Sequence, residues 1–313
     1  MKIAAVVPNY NGAAVVARCI EGLLAQVLEP SHSLSVVVVD DGSTDESVAL
    51  LKAQFGKRVE LVCLDRNCGR CTARNIGAFR ANADIIVFID SDCVPADPTF
   101  VSTHVSALME TADISFGEVL TPGDGFWDQL QRDGSRWRRE RFLAGDFWAF
   151  TTQNVAVRSD LFERVGGFDT VFERHGFEDR DLFVRLAAAG GRGRHTPNAR
   201  VRHEDKVGLA SVSRKLGEAG ELAAAEFSAR HPSVYQAMSF SKLDCGQRRY
   251  LLAVDAFFWP IVRHLTSHAE AALHFKLLPF QARAFLARGL YGFSFLHGTA
   301  VRERRKWPKP AIR

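Results

Sequence analysis

The chain has 313 residues, 47% of them hydrophobic, and a formal net charge of +4. That length and apolar content suffice for one large α/β core, or a core with an appended domain, and they exclude a disordered chain. No apolar run reaches the ~18 to 20 uninterrupted residues that a spanning helix needs, and Met1 to Pro8 breaks at a proline after a strand-length stretch, which is not the shape of a signal peptide and points to a cytoplasmic protein.

Ile3 to Val7 reads as a buried strand, followed by the turn Pro8-Asn9-Tyr10-Asn11-Gly12 and a helix with apolar positions Val16, Ile20, Leu23, Leu24 and Val27. Val36 to Val39 is a second, β-branched strand ending at Asp40-Asp41-Gly42. Ser43-Thr44-Asp45-Glu46 then offers a capping box for the helix carrying Val48, Leu51 and Phe55. A third strand, Val59 to Leu64, leads to a helix through Ala73, Ile76 and Ala78. The apolar run Ile85 to Ile89 closes on Asp90-Ser91-Asp92. The alternation predicts an α/β fold with a mostly parallel, doubly wound sheet whose strand carboxyl ends line a ligand crevice. Asp40, Asp41, Asp90 and Asp92 all fall on that edge. Paired carboxylates there suit a hard divalent cation, Mg²⁺ or Mn²⁺, that bridges nucleotide phosphates; taken alone, the pair reads more readily as a solvated turn.

Residues 116–150 hold Trp127, Trp137 and Trp148 with Arg136, Arg138, Arg139 and Arg141. The stretch is too long for a simple turn and reads either as a loop that orders over a ligand or as a packed helix from Trp127 to Phe142. A helix carrying Leu182, Phe183 and Leu186 follows Glu178-Asp179, and His203 follows a strand through Arg200-Val201-Arg202. From Phe240 to Arg313 there are 13 Lys and Arg against 4 Asp and Glu, whereas the rest of the chain has 27 against 32. This basic part is also aromatic, as in Phe257-Phe258-Trp259, and reads either as a membrane-facing surface or as an ordinary helical subdomain with solvated arginines. The six cysteines lie scattered in helix-like and strand-like segments, as reduced, buried thiols do. Cys68-Gly69-Arg70-Cys71 is rejected as a redox or zinc motif because the residues around it belong to another pattern and no further ligand pairs lie near.

That pattern has seven segments in order. They are Val7-Pro8-Asn9-Tyr10-Asn11, Val39-Asp40-Asp41-Gly42-Ser43-Thr44-Asp45, Asn67-Cys68-Gly69-Arg70-Cys71-Thr72-Ala73-Arg74-Asn75-Ile76-Gly77, Asp90-Ser91-Asp92, Gly166-Gly167-Phe168-Asp169, Gly176-Phe177-Glu178-Asp179-Arg180-Asp181-Leu182 and Val201-Arg202-His203. Over about residues 1–210 the chain resembles a family 2 glycosyltransferase of the inverting type with the GT-A fold.

The resemblance implies a GT-A domain over residues 1–225 that binds a nucleotide sugar and carries the chemistry, and a basic, helical, membrane-associating extension over 226–313. It implies a hexosyltransferase-like enzyme moving one sugar from a nucleotide diphosphate donor, expected to be a UDP-sugar, to a hydroxyl acceptor that is lipid-linked or lipophilic. Pro8, Asn9 and Tyr10 would flank the base, Asp41 would accept a hydrogen bond from it, and Arg74 and Asp90 would lie beside the nucleotide. Asp92 and His203 would hold Mn²⁺ or Mg²⁺. Asp179, with Glu178 beside it, would be the general base, and Trp148, Gln153, Asn154, Gly167 and Phe168 would lie on the acceptor or donor-sugar side. No nucleic-acid partner is expected. A nucleotidylyltransferase of related architecture and a non-catalytic nucleotide-sugar or membrane-docking scaffold remain as alternatives. The Gln-x-x-Arg-Trp motif and transmembrane helices of polymerising members are missing, which points to a single transfer at the inner face of a membrane.

Overall fold

The computed structural model describes residues 1–306 apart from 122, 173, 205, 206 and 276, so Asp205, Lys276 and the basic residues after 306 lie outside the described residues. The chain separates into two compact units, one of residues 1–123, 131–173 and 178–205, the other of 124–130, 174–177 and 206–313. The boundary anticipated at residue 225 falls inside the second unit.

The first unit is built on an eight-stranded sheet of β1 (Lys2–Asn9), β2 (Ser33–Asp40), β3 (Glu60–Cys63), β4 (Ile85–Ile89), β5 (Cys93–Pro95), β6 (Ile114–Leu120), β7 (Asn154–Arg158) and β8 (Gly193–His203), in the order β3-β2-β1-β4-β7-β6-β8-β5. Helices α1 (Val16–Leu24), α2 (Ser47–Phe55) and α3 (Arg70–Ala81) connect the first four strands, and α4 (Phe100–Glu110), α5 (Phe126–Leu143), α6 (Ser159–Arg164) and α7 (Glu178–Ala188) follow. Pairing among β1 to β4 is wholly parallel, as the alternation predicts. Beyond β4 the sheet is mixed, since β7 runs antiparallel to both β4 and β6, and β5 antiparallel to β8.

The uninterrupted Val36–Val39 run has a direct cause. Val36 and Val38 pack with Val16, Ile20 and Leu23 of α1, while Val37 and Val39 pack with Ala73 of α3. A strand covered on both faces carries apolar residues at every position rather than at alternate ones. The α3 face is small for the same reason. A Cβ on Gly77 would sit 2.5 Å from Val6 Cγ1 and 3.2 Å from Val39 Cγ2, so only glycine lets α3 lie this close to the sheet.

Two local expectations are corrected. Val27 lies beyond α1 and is mostly exposed, because its backbone N–H turns away to Pro98 O at 2.8 Å. The Ser43 to Glu46 capping box does not form, since Glu46 makes no side-chain cap; Asp45 Oδ1 instead accepts from Ser47 N, the first residue of α2, at 3.0 Å, and Ser43 Oγ donates to Asp40 Oδ2 at 2.7 Å and accepts from Asn11 N at 2.8 Å, tying two loops together. Of the two readings of residues 116–150, the packed helix holds: β6 is followed by α5, which spans the expected Trp127 to Phe142.

The second unit is helical, with α8 (Leu209–Glu218), α9 (Ala224–Arg230), α10 (Pro232–Ala237), α11 (Leu251–His274) and α12 (Phe280–Arg305). Phe126 and Trp127 pack with Leu209, Leu273 and Leu290 in its core. Among the described residues no helix is long and apolar enough to cross a membrane.

Replacing Gly77 with valine is expected to destabilise the protein by about 1 to 3 kcal/mol through overpacking. Gly289 of α12, where an added Cβ meets nothing within 4 Å, is expected to gain about 0.5 to 1 kcal/mol as alanine from helix propensity alone. Urea unfolding of both variants checks the pair, and a neutral Gly77→Val would refute the close-approach argument.

Candidate active site

Because β1, β2 and β4 run parallel, their carboxyl ends and following loops lie on one sheet edge. Asn9 ends β1 and is buried; its Nδ2 donates to Asp40 Oδ2 at 2.8 Å, and Ser43 N donates to Asp40 Oδ1 at 2.9 Å. Asp40 thereby holds the first two loops in register. Asp41, also buried, accepts from Cys68 N at 2.7 Å and Gly69 N at 2.9 Å, one bond to each carboxylate oxygen. Burial pushes its carboxyl up, while the two N–H donors oppose that shift. Both oxygens therefore hold the 68–69 turn, and each keeps a lone pair that can accept from a further donor. Pro8 is half-buried and Tyr10 half-exposed, the latter offering an open ring beside these loops.

Arg74 is the centre of the edge. Its side chain is 2% exposed, yet its Nη2 donates to Asp90 Oδ1 at 2.7 Å and its Nη1 lies 3.4 Å from Asp179 Oδ1. The guanidinium sits over the Phe168 ring, 5.2 Å from its centroid. Asp90 belongs to the turn after β4 and Asp179 to the first turn of α7, so one arginine joins carboxylates 16 and 105 residues away along the chain. Asp179 also accepts from Thr152 Oγ1 at 2.5 Å and Thr152 N at 3.2 Å. Glu178 is buried next to it, 3.7 Å from Arg70.

These contacts pull the two carboxyls apart. Burial opposes ionisation of Asp90, but Arg74 and Arg70 outweigh it and hold the group below the usual carboxylate range. Burial and then Glu178 push Asp179 up, against the opposing effect of Arg74 and Thr152. Burial would lower the Arg74 pKa, yet Asp90, Asp179 and Glu178 together raise it, so the guanidinium stays charged.

Gly167 and Phe168 serve this centre from below. Asn75 clamps Phe168 by accepting from its N–H and donating to its carbonyl, both at 2.8 Å. Gly167 has φ of +71°, and a Cβ there would meet Asn75 Oδ1 at 2.6 Å; the clamp requires glycine.

Pairing of β5 with β8 sets Cys93 opposite His203, which brings His203 Nε2 to 3.4 Å from Asp92 Oδ2. Adjacent vertices of an octahedron with bonds of ~2.1 Å lie about 3 Å apart, so these two donors fit as neighbouring ligands of one ion. Among the described residues no cluster of three or more potential ligands occurs. The pair suits an open site, completed by substrate oxygens or water, and its mixed oxygen and nitrogen donors suit Mn²⁺ or Mg²⁺.

The residues expected on the sugar side differ in exposure and in their internal partners. Asn154 is buried and committed: Oδ1 bonds His104 Nε2 at 2.8 Å, and Nδ2 donates to Glu118 O at 3.0 Å and Ala199 O at 2.9 Å. Trp148 is buried with its indole N–H on Asp146 Oδ1 at 3.0 Å and Arg141 over its ring, while Gly167 and Phe168 are buried beneath Arg74. Gln153 is half-exposed and, with Asn154, Glu118, Arg138, Phe150 and Thr151, lines a narrow cleft of about 20 Å³. Sequence reasoning missed Thr152, Arg70 and His104 as partners. Thr152 precedes two residues that were singled out, and Arg70 lies inside a matched segment; His104 left no signal.

Comparison with known proteins gives the family and the fold. The family model described as glycosyl transferase family 2 matches residues 4–166, and one described as the N-terminal domain of galactosyltransferase matches 143–206. The succinoglycan biosynthesis protein ExoO of Rhizobium meliloti is 32% identical over 231 residues, which are 67% of this chain and 62% of that protein. The undecaprenyl-phosphate 4-deoxy-4-formamido-L-arabinose transferase of Pseudomonas aeruginosa is 25% identical, over 66% of this chain and 58% of that protein. The chain thus spans about six-tenths of the length of these relatives. Among solved structures, the mannosyltransferase PcManGT from Pyrobaculum calidifontis, in complex with GDP-Man and Mn²⁺, superposes with a TM-score of 0.61 at 21% identity, covering 98% of this chain and 88% of that one.

Arg74→Met leaves two carboxylates facing each other without their shared cation, and is expected to cost about 3 to 5 kcal/mol at neutral pH. The sign with pH follows. In the wild type the lowered Asp90 pKa contributes stability that is lost as pH falls through it, whereas in the variant protonation relieves the repulsion. Urea unfolding should therefore show the gap narrowing on acidification; a gap independent of pH would refute the electrostatic account.

Proposed function

The chain belongs to glycosyltransferase family 2, and from that premise we propose that it moves one sugar from a nucleotide diphosphate donor to a hydroxyl acceptor, with inversion at the anomeric carbon. One observation carries the reading. Arg74 bridges Asp90 and Asp179 on the edge where Asp92 and His203 also meet, and this supports a single crevice with a nucleotide side and an acceptor side.

In this reading Pro8, Asn9 and Tyr10 border the base, and Asp41 acts on it through the 68–69 turn that it holds. Tyr10, with its open ring, stacks on a pyrimidine, and the donor is taken to be a UDP-sugar. Asp92 and His203 hold Mn²⁺ or Mg²⁺, which supplies positive charge against the departing diphosphate when bound. The Mn²⁺ and GDP-Man held by a neighbour of the same fold support a nucleotide-sugar donor and a divalent ion without naming either. Arg74 keeps Asp90 and Asp179 at fixed positions and offsets the negative charge that gathers there.

Asp179 takes the proton of the acceptor hydroxyl as the hydroxyl oxygen attacks the anomeric carbon and the diphosphate leaves from the opposite side. The N–H and O–H of Thr152 orient the carboxylate, and the start of α7 favours its ionised form. Glu178 is a positioning residue, raising the affinity of Asp179 for the proton that it accepts. Gln153 faces the sugar or acceptor. The acceptor is proposed to be lipid-linked and presented at the inner face of a membrane, a reading supported by the undecaprenyl-phosphate sugar transferase among the relatives and by the basic C-terminal helices.

The test is release of nucleoside diphosphate from a panel of donors with Mn²⁺. Asp179→Asn is expected to lower turnover about 10² to 10⁴-fold while nucleotide binding, read by fluorescence, persists. A wild-type protein that binds nucleotide yet releases no diphosphate from any donor and acceptor pair would overturn the proposal in favour of a binding scaffold.

Turnover should also fall on acidification, because only the ionised Asp179 accepts a proton. Since burial and Glu178 raise that carboxyl, the acid limb is expected above the ~3.9 of an ordinary aspartate. Thr152→Val, which removes the opposing hydroxyl donor, should move the limb further up. An acid limb that does not move in that variant would remove Thr152 from the proposed role.

A further inference from the structure

We infer that α11 and the turn into α12 form a docking surface for an anionic lipid bilayer. The surface lies wholly within the second unit, and its binding requires no turnover, so it is tested apart from the glycosyl-transfer reading that gives it a use. Along α11, Phe257, Ile261 and Leu265 recur every four residues as one exposed apolar ridge. Beside the ridge, Val254, Phe258 and Val262 of α11 and Leu286, Leu290 and Phe293 of α12 line an apolar groove of about 460 Å³. The turn adds Leu277, 82% exposed, and the start of α12 adds Phe285, 80% exposed. A contiguous apolar patch of this kind marks an interface rather than scattered surface residues.

Charge selects the partner. Between residues 251 and 301 the sequence has two acidic residues: Asp255 is buried, and Glu270, its side chain 41% exposed, is hydrogen-bonded within the unit. Asp255 is buried against His297 Nδ1 at 2.9 Å and Arg304 Nη1 at 2.8 Å; Glu270 accepts from Trp127 Nε1 at 2.6 Å and Leu209 N at 2.7 Å. Around the apolar face Arg288 is exposed, three residues from Phe285 on α12, as are His264 and His268 of α11; Arg263, two residues from both Ile261 and Leu265, turns to the other side of α11. An amphipathic surface with aromatic residues on its apolar side and cations at its border suits anionic headgroups. The helix lies in the interface, since it is too polar to span.

Sedimentation of the full chain with vesicles tests this. The protein should pellet with vesicles of equal parts phosphatidylcholine and phosphatidylglycerol and stay in the supernatant with phosphatidylcholine alone. The double variant Phe257→Glu with Phe285→Glu changes two exposed side chains and should lower the partition coefficient about tenfold or more, while Phe79→Glu, an exposed phenylalanine of the other unit, should leave it unchanged. Wild-type protein that ignores anionic vesicles, or a double variant that pellets as well as wild type, overturns the inference. So does light scattering that shows a wild-type dimer dissociated by the double variant, which would assign the face to a second copy of the chain.

Discussion

A guanidinium buried to 2% exposure at the edge of a sheet is tolerable only with carboxylates supplied to it. Arg74 meets that requirement with Asp90 from the end of β4 and Asp179 from the start of α7, and most of the crevice follows from the requirement. Gly77 brings α3 close enough to the sheet for Arg74 to lie over the strand ends. Asn75, on the same helix, grips both backbone groups of Phe168 and sets that ring under the guanidinium. The segment 69–77 thus acts as one part: a helix start, a cation, a clamp and a close approach.

The same logic extends to Thr152. It meets Asp179 with its N–H and its hydroxyl, so the path of the chain entering β7 decides where that carboxylate can sit. Two residues on, Asn154 is tied to His104, which also bonds Ser115 Oγ at 2.8 Å, and Ser115 Oγ meets Thr196 Oγ1 at 2.8 Å. Burial pulls the His104 pKa down to about 4. The imidazole is therefore neutral across the physiological range, and a neutral ring can donate through one nitrogen and accept through the other, as a chain of hydroxyl and amide partners needs. A buried polar network that is fully paired rigidifies the strand it crosses.

The parallel half of the sheet was legible because its elements repeat at strand and helix periods with apolar runs on both faces, as in Val36 to Val39. The acidic pair at the end of β4 and the two segments carrying Arg74 and Asp179 were legible as a pattern, yet their mutual contacts were not, since nothing in a linear sequence measures 105 residues of separation in space. The antiparallel strands beyond β4 escaped because β6 is followed by a helix whose apolar face is weak, Phe126 and Trp127 being the only buried residues of α5. The part played by the sugar-side residues was not legible for a different reason. Asn154, Trp148 and Phe168 are chemically apt for ligands and equally apt for buried networks, and only burial distinguishes the two uses. Asp41 shows the same ambiguity, its oxygens taken by backbone N–H groups of a neighbouring turn.

In the helical unit, acidic side chains do internal work and thereby shape the surface. Glu270 accepts the first N–H of α8 and the indole N–H of Trp127, so it satisfies an orphan donor at a helix start, where the helix dipole favours a carboxylate. Asp255 joins α11 to α12 through His297 and Arg304. Moving either acid to the surface would leave buried partners unpaired, at a cost of about 1 to 3 kcal/mol for each orphaned group. Packing therefore commits both acids to partners within the unit and leaves Arg288 exposed beside Phe285. The cationic character of that face is a consequence of how the helices are held together, and it persists in any variant that keeps this core.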